Sequence, residues 1–165
     1  MSKIVSALAD DDLLTRDGST VTDVNWADLL RERAAQAPAL LAPGSYIPMV
    51  ARRGLDRTLA DLSTALADTD AVWVTGSAGA QTIAPLAPTT QLTLRVSDVS
   101  AARRRLKLLP APPDQVSRAD VVLITTNYDV AVEGAARRNN VPVVAPSQLV
   151  LDCLTGAGRM PAEGE

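Results

Sequence analysis

The sequence predicts a mixed α/β fold in two modules, and three features of the residue pattern carry this prediction. Apolar runs typical of buried strands alternate with helical stretches over most of the chain after residue 46. A helix followed by a short hairpin precedes them, at residues 2–24. A segment with two prolines and a glycine, residues 37–45, separates the two parts. We therefore expect modules at 1–36 and 46–165, joined by a linker at 37–45.

The first module is predicted to contain a helix, a hairpin and a second helix. Residues 2–12 place four apolar side chains on one helical face: Ile4, Val5, Leu8 and Ala9. Asp17-Gly18 between two β-prone runs predicts a hairpin over 13–24. Asn25 is suited to cap a helix that runs from Trp26 to about Gln36. A helix followed by a small hairpin is typical of the second half of a winged helix-turn-helix, so we expect a partial winged helix here.

The second module is predicted to alternate strands and helices. In chain order, the expected elements are a short edge strand at 46–50 interrupted by Pro48, a helix at 55–66, a strand at 71–75, a short helix from Gly76 that ends before Pro85, a strand at 91–96, a basic helix at 98–106, strands at 121–125 and 141–145, and a closing helix at 146–154. Residues 127–140 are ambiguous, because 128–132 suits a strand and 132–138 suits a helix.

Composition excludes several classes of function. The net charge of −3 provides no global basic field for nucleic acid, so any such surface must be local. Histidine is absent and Cys153 is the single cysteine, which argues against a transition-metal site, a disulfide framework and the commonest acid–base chemistry. The sequence has no signal peptide and no apolar run of membrane-spanning length, so a cytoplasmic protein without cofactors is expected.

Catalytic candidates are weak. Gly76-Ser77 after a strand is found in nucleotidyltransferase-like folds, where a following strand carries two metal-binding carboxylates. Here that strand, Gln91–Arg95, has none, so such a fold would lack catalysis and Gly76 would serve only a tight turn. A nuclease-like site from Asp120, Asp129 and Glu133 lacks the lysine that it would need. The consecutive acids Asp10, Asp11 and Asp12 point in different directions, which favours a solvated helix end. We expect no catalytic residues and no metal ligands.

Nucleic-acid candidates are better placed. Ser2, Lys3 and Ser6 lie on the polar face of the helix before the hairpin, where they would enter a DNA groove, and Arg16 in the hairpin would contact the backbone. Weaker phosphate candidates are Arg52, Arg53, Arg103 and Arg104, for which a solvated surface is the alternative.

Several runs resemble the actinobacterial AbiEi-type antitoxins of type IV toxin–antitoxin systems, which are transcriptional regulators. These runs are Val72–Ala78 with Ile83–Leu86, Val144–Gly156 with Gly158–Glu163, and, more generically, Ser2–Leu8 with Asp12–Leu14 and Val24–Trp26. The resemblance covers most of the chain and implies a winged-helix module that represses its own operon, followed by an α/β domain needed for neutralisation. Family members have two further helices upstream and more residues downstream, so a chain shortened at both ends is expected.

Two functional hypotheses follow. The first is an antitoxin that binds its own promoter DNA and acts functionally, without needing a stable complex, on a nucleotidyltransferase toxin. The second is a module that does not bind DNA but contacts such a toxin or another protomer, and the acidic charge balance motivates it.

Overall fold

The computed structural model describes residues 3–40, 46–65, 72–84, 88–125, 133–156 and 160–165, with the backbone alone at 38–40 and 65. It confirms a mixed α/β fold. The chain divides into two compact units, residues 1–40 and 41–165, which are described separately below. None of the helices in the described ranges has the length and apolar character of a membrane span.

The first unit contains the predicted helix, hairpin and second helix. These are α1 (Lys3–Asp10), β1 (Leu14–Asp17), β2 (Thr20–Val24) and α2 (Trp26–Leu40). The Oδ1 atom of Asn25 accepts a hydrogen bond from the Asp28 backbone N–H at 3.3 Å, so Asn25 caps α2 as predicted. The expected end near Gln36 is wrong: the alanine-rich run that follows favours helix, and Pro38 gives up only one hydrogen bond near the helix end. The predicted linker is therefore helical up to Leu40, and residues 41–45 lie outside the described ranges.

A left-handed residue ends α1. Asp12 has φ 59°, and the backbone N–H of Leu13 donates to the Leu8 carbonyl at 2.9 Å, which closes the helix in a Schellman-type turn. Leu13 is buried by this turn, and its carbonyl accepts from the Asn25 N–H at 3.0 Å. The helix, the hairpin and the start of α2 are thereby tied together by backbone bonds.

The second unit is built on one mixed sheet, which has seven strands within the described residues. The strands are β3 (Tyr46–Ala51), β4 (Val72–Thr75), β5 (Leu92–Val96), β6 (Leu108–Pro110), β7 (Val121–Thr125), β8 (Ala136–Arg138) and β9 (Val141–Val143). Their order is β6-β3-β7-β5-β4-β9-β8, and all neighbours are antiparallel except the parallel pairs β5–β7 and β4–β9.

Helices cover the two faces of this sheet. They are α3 (Leu55–Ala65), α4 (Gly76–Ala80), α5 (Val99–Leu106), α6 (Pro146–Leu154) and α7 (Met160–Gly164), with a 3₁₀ helix at Pro113–Arg118. On one face, Leu62 of α3 and Leu106 of α5 pack on strand residues such as Leu94. On the other face, Leu149 and Cys153 of α6 pack on Trp73. Strand residues that are buried on both faces explain why these runs are almost continuously apolar.

Strand β3 corrects one prediction. It is an inner strand between β6 and β7, and Pro48 does not interrupt it. Pro48 accepts a hydrogen bond from the Ala111 N–H at 3.1 Å but cannot return one. This loss falls just beyond the end of the three-residue strand β6, where the ladder stops in any case.

The ambiguous segment is also corrected where it is described. A helix over 132–138 is wrong: residues 133–134 form a turn and residues 136–138 form β8. Asn139 and Asn140, with φ 51° and 64°, make the tight turn that pairs β8 with β9. The alternative strand over 128–132 lies outside the described residues.

Candidate functional site

The predicted DNA-contact residues of the first unit gather where α1 meets β1. Lys3 is exposed at the start of α1, and Ser6 lies one turn further along. Nη1 of Arg16 in β1 donates to Oγ of Ser6 at 3.4 Å, which brings the groove and backbone candidates together. Ser2 lies outside the described residues. None of the residues of α1 is buried, and Ile4 is 71% exposed, so this helix is available to a macromolecular partner.

The electrostatics of this unit oppose broad attraction to DNA. Residues 1–40 have four basic and seven acidic side chains, which gives −3, the net charge of the whole chain. Asp10, Asp11 and Asp12 are exposed at the carboxyl end of α1, where the helix dipole is already negative. Arg31 is paired with Asp28 at 3.0 Å. Apart from Arg31, the cations of this unit are Lys3, Arg16 and Arg33, so any attraction to phosphate is local to these three side chains.

The arginine candidates of the second unit come from two parts of the sequence but lie at one end of the sheet. Arg52 and Arg53 form the turn after β3, whereas Arg103 and Arg104 belong to α5, which leads into β6. Strands β3 and β6 are paired so that these two segments leave the ladder at the same end. Arg104 is exposed, whereas Nε of Arg103 is buried and makes no hydrogen bond with the described residues, so Arg103 lies against the body of the unit.

The Gly76-Ser77 turn is tightly packed. Gly76 has φ 59°, and a Cβ atom added there would lie 3.0 Å from Sδ of Met160 and 3.3 Å from the Thr93 side chain. All five residues of α4 are buried. Close packing supports a structural turn and leaves no room for a phosphate. On the sheet face that contains Thr75, strand β5 presents Thr93 and Arg95 rather than carboxylates.

A buried carboxylate that the sequence analysis missed, Asp152, is the centre of a polar cluster in the second unit. Oδ2 of Asp152 in α6 accepts from Oγ1 of Thr75 at 2.6 Å and from Nε of Arg95 at 2.7 Å. Oδ1 accepts from Nη2 of Arg95 at 2.5 Å and from Nε2 of Gln148 at 2.8 Å. Four hydrogen bonds therefore satisfy the carboxylate and tie α6 to β4 and β5.

This cluster follows from the sheet register and from one visible feature of α6. Trp73, Arg95, Ile124 and Tyr46 share a row across β4, β5, β7 and β3, so their side chains lie on the face that α6 covers. Asp152 is spaced three residues after the buried Leu149, on the apolar stripe of α6. A carboxylate on a buried stripe needs a cationic partner, so this signal could have been found in the sequence.

The pKa values of two titratable groups beside the cluster, Tyr46 and Cys153, are raised. Burial raises the pKa of the Tyr46 hydroxyl and the negative charge of Asp152 adds to the shift, whereas Arg95 and a hydrogen bond with Thr155 oppose it. Burial raises the pKa of the Cys153 thiol from 9.0 to about 11, with smaller contributions from Glu163 and Asp152. Both groups are therefore protonated at neutral pH, and the thiol is a packing group rather than a nucleophile.

The carboxylates that were considered for a metal do not form a site in the described part of the chain. Asp120 is engaged with the sheet, where its Oδ1 accepts from the Ala51 N–H at 2.8 Å and its carbonyl accepts from the Leu92 N–H at 2.8 Å. Glu133 is exposed in a turn, and Asp129 lies outside the described residues. Within the described ranges, no group of three or more cysteine and acidic side chains could hold a metal ion.

No protein-family model, curated protein or solved structure matches this chain.

Proposed function

We propose that the chain is an AbiEi-type antitoxin that acts in the cytoplasm as a DNA-binding autorepressor and has no catalytic activity. One observation carries the proposal: Lys3, Ser6 and Arg16 lie where an exposed helix meets a hairpin, which is the arrangement that a reading helix and a wing would have. The resemblance of Val72–Ala78 and Val144–Gly156 to these antitoxins supports the same function. A partial winged helix and a nucleotidyltransferase-like second unit without catalytic acids remain predictions.

The experiment is fluorescence anisotropy of the full chain on its own promoter DNA and on a shuffled duplex of equal length. We expect a preference for the promoter, which Lys3→Ala and Arg16→Ala reduce. Arg33→Ala serves as the matched control, because Arg33 is an exposed arginine of α2 outside the helix–hairpin contact. Equal binding to both duplexes, or equal losses in all three variants, would refute the assignment of this surface to specific recognition.

A second candidate function is protein binding without DNA recognition. The net charge of −3 over residues 1–40 and the exposure of Ile4, Val21 and Trp26, at 71%, 42% and 62%, favour it. The partner would be the nucleotidyltransferase toxin from the neighbouring gene, or another protomer. Trp26 is a natural probe of this binding, since Trp73, the other tryptophan, is buried.

Size-exclusion chromatography with the neighbouring gene product distinguishes the two candidates. A stable complex that blue-shifts the emission of Trp26 in a Trp73→Phe variant supports protein binding. Co-elution without any change at Trp26 would place the contact elsewhere on the chain. Failure to co-elute, together with promoter binding, supports the regulator.

A further inference from the structure

The pairing of β3 with β6 joins two arginine-rich segments that are about fifty residues apart in the sequence. Ala51 and Leu108 are directly paired in this antiparallel ladder. Arg52 follows the first and Lys107 precedes the second. Paired Cα atoms are at most about 5.5 Å apart and successive ones about 3.8 Å, so the Cα atoms of Arg52 and Lys107 lie within about 13 Å.

We call this surface the basic end, and it consists of Arg52, Arg53, Arg57, Arg104, Arg105 and Lys107. All six residues are exposed. The two segments that provide them, 51–65 and 99–107, contain two carboxylates, Asp56 and Asp61, so the six cations and these acids sum to a net charge of +4. The Asp120 carboxylate, whose Oδ1 accepts from the Ala51 N–H at 2.8 Å, lowers the local net charge to +3. A local positive charge of this size contrasts with a chain whose net charge is −3.

Part of this charge is compensated within the protein and part is not. Nη1 of Arg53 lies 3.0 Å from Oδ2 of Asp61, and Nε of Arg57 lies 3.3 Å from Oδ1 of the same carboxylate. Arg52, Arg104 and Lys107 form no salt bridge with any other described residue. Within the described part of the chain, these three exposed cations of the basic end therefore have no ionic partner.

The backbone at Lys107 points to a use for its charge. Lys107 ends α5 in the left-handed conformation, with φ 54° and ψ 44°, and its N–H donates to the Arg103 carbonyl. This backbone conformation favours glycine, because a residue with a side chain adopts it at a cost of roughly 1 kcal/mol or more. Attraction between the lysine charge and the helix dipole is worth about 0.3–1 kcal/mol, so it offsets this cost only in part. Lys107 therefore provides a cation to this surface at a position where the backbone favours glycine.

We propose that the basic end binds the sugar–phosphate backbone of duplex DNA without reading its sequence, as a contact surface additional to that of the first unit. This inference deepens the proposed function and rests on it for the choice of nucleic acid. Arginine forks match phosphate oxygens, and cations whose Cα atoms lie within about 13 Å, as those of Arg52 and Lys107 do, can contact the strands on both sides of a groove about 6–12 Å wide. Segments 51–65 and 99–107 contain no aromatic residue, whereas surfaces for single-stranded nucleic acid stack bases on aromatic rings.

The test measures anisotropy of the full chain on a shuffled duplex at about 50 mM and about 200 mM salt. Each phosphate contact contributes about 0.9 to the slope of log affinity against log salt. Reversal of two charges, Arg52→Glu with Arg104→Glu, should lower the slope by about 2, so the loss of affinity over this fourfold salt range shrinks by about 16-fold. The matched control, Arg33→Glu with Arg138→Glu, changes the net charge equally at exposed arginines outside the basic end.

Two single variants separate binding from folding. Lys107→Gly should lower the slope by about 1 while thermal stability stays the same or rises, a combination that a merely structural lysine would not give. Asp61→Asn should tighten binding, because it releases Arg53 and Arg57 from their shared carboxylate.

Three results would overturn the inference: no binding of the wild-type chain to the shuffled duplex at low salt, equal losses in the reversal and control variants, or an unchanged slope in Lys107→Gly. These results are distinct from failure of the proposed function, which would appear as equal affinity for the promoter and the shuffled duplex. Loss of promoter preference with an intact basic-end response would leave sequence-independent DNA binding as the activity of the second unit.

Discussion

Replacing Asp152 with alanine removes a carboxylate on which four hydrogen bonds converge. The side chains of Asp152 and Arg95 are only 6% and 12% exposed, so the change leaves a guanidinium in a mostly buried position without its counter-charge. Thr75 and Gln148 lose their acceptor at the same time. Breaking a buried pair of this kind costs about 3–5 kcal/mol, and domains are typically stable by about 5–15 kcal/mol, so the variant should lose a large part of its free energy of unfolding.

The double variant Arg95→Leu with Asp152→Leu tests whether the cost comes from the stranded charge. Removal of both partners leaves no buried ion, and apolar replacements of similar volume are often neutral for stability. We expect the double variant to lose much less than the sum of the two single losses, with a coupling of about 2 kcal/mol or more.

Urea denaturation measures these differences through the fluorescence of Trp73, whose Cα atom pairs with that of Arg95. A Trp26→Phe background makes Trp73 the only tryptophan and alters an exposed site of the other unit. If Asp152→Ala lowers the free energy of unfolding by less than about 1 kcal/mol, the pair contributes no more than an exposed salt bridge, which would refute the reasoning. Strict additivity of the two single changes would refute it equally.

Three further predictions concern local conformation and titration. Gly76→Ala should destabilise the fold by about 2–4 kcal/mol, because the new Cβ meets Met160 and φ is 59°. Gly54→Ala should lose only the part of the stability that comes from backbone conformation, because φ is 78° and no heavy atom lies within 4 Å of the added Cβ. Similar losses for Gly54→Ala and Gly76→Ala on denaturation would contradict the packing argument. Since the pKa of Cys153 is raised from 9.0 to about 11, its contribution to the free energy of unfolding is complete below pH 9 and decreases towards pH 11. Cys153→Ala should flatten that decrease in denaturation at alkaline pH, and an unchanged slope would exclude the thiol as its source. Asp12→Gly should stabilise the first unit by roughly 1 kcal/mol in thermal unfolding, since φ is 59°, whereas an equal gain in Asp12→Ala would show that charge rather than backbone strain is responsible.

The elements that were predicted correctly have strong local signals. The hairpin around Asp17-Gly18 and the cap at Asn25 depend on residues next to each other, so no tertiary information is needed. The strand Val72–Thr75 and the helix Pro146–Leu154 have apolar patterns of sufficient length. Local energetics are enough for these elements, because capping, turn geometry and periodicity act over a few residues.

The elements that were missed are short or depend on distant partners. Strand β6 has three residues, and its neighbour among the described strands is β3, which is about sixty residues earlier in the sequence. The interior position of β3 could not be predicted, because Pro48 is compatible with an inner strand only where the neighbouring ladder ends. The turn at Asn139 and Asn140 did have a local signal, because asparagine tolerates the left-handed region.

The candidate sites divide in the same way. The sequence by itself determined the mixed α/β class, the helix–hairpin arrangement around Arg16 and the residue types that could contact phosphate. Only the tertiary structure placed Arg52 near Lys107, through the register of β3 and β6, and brought Asp152 to Arg95, through the packing of α6 on the sheet. Residue type and local spacing follow from the sequence directly, whereas the meeting of distant charges depends on which strands pair and in which direction they run.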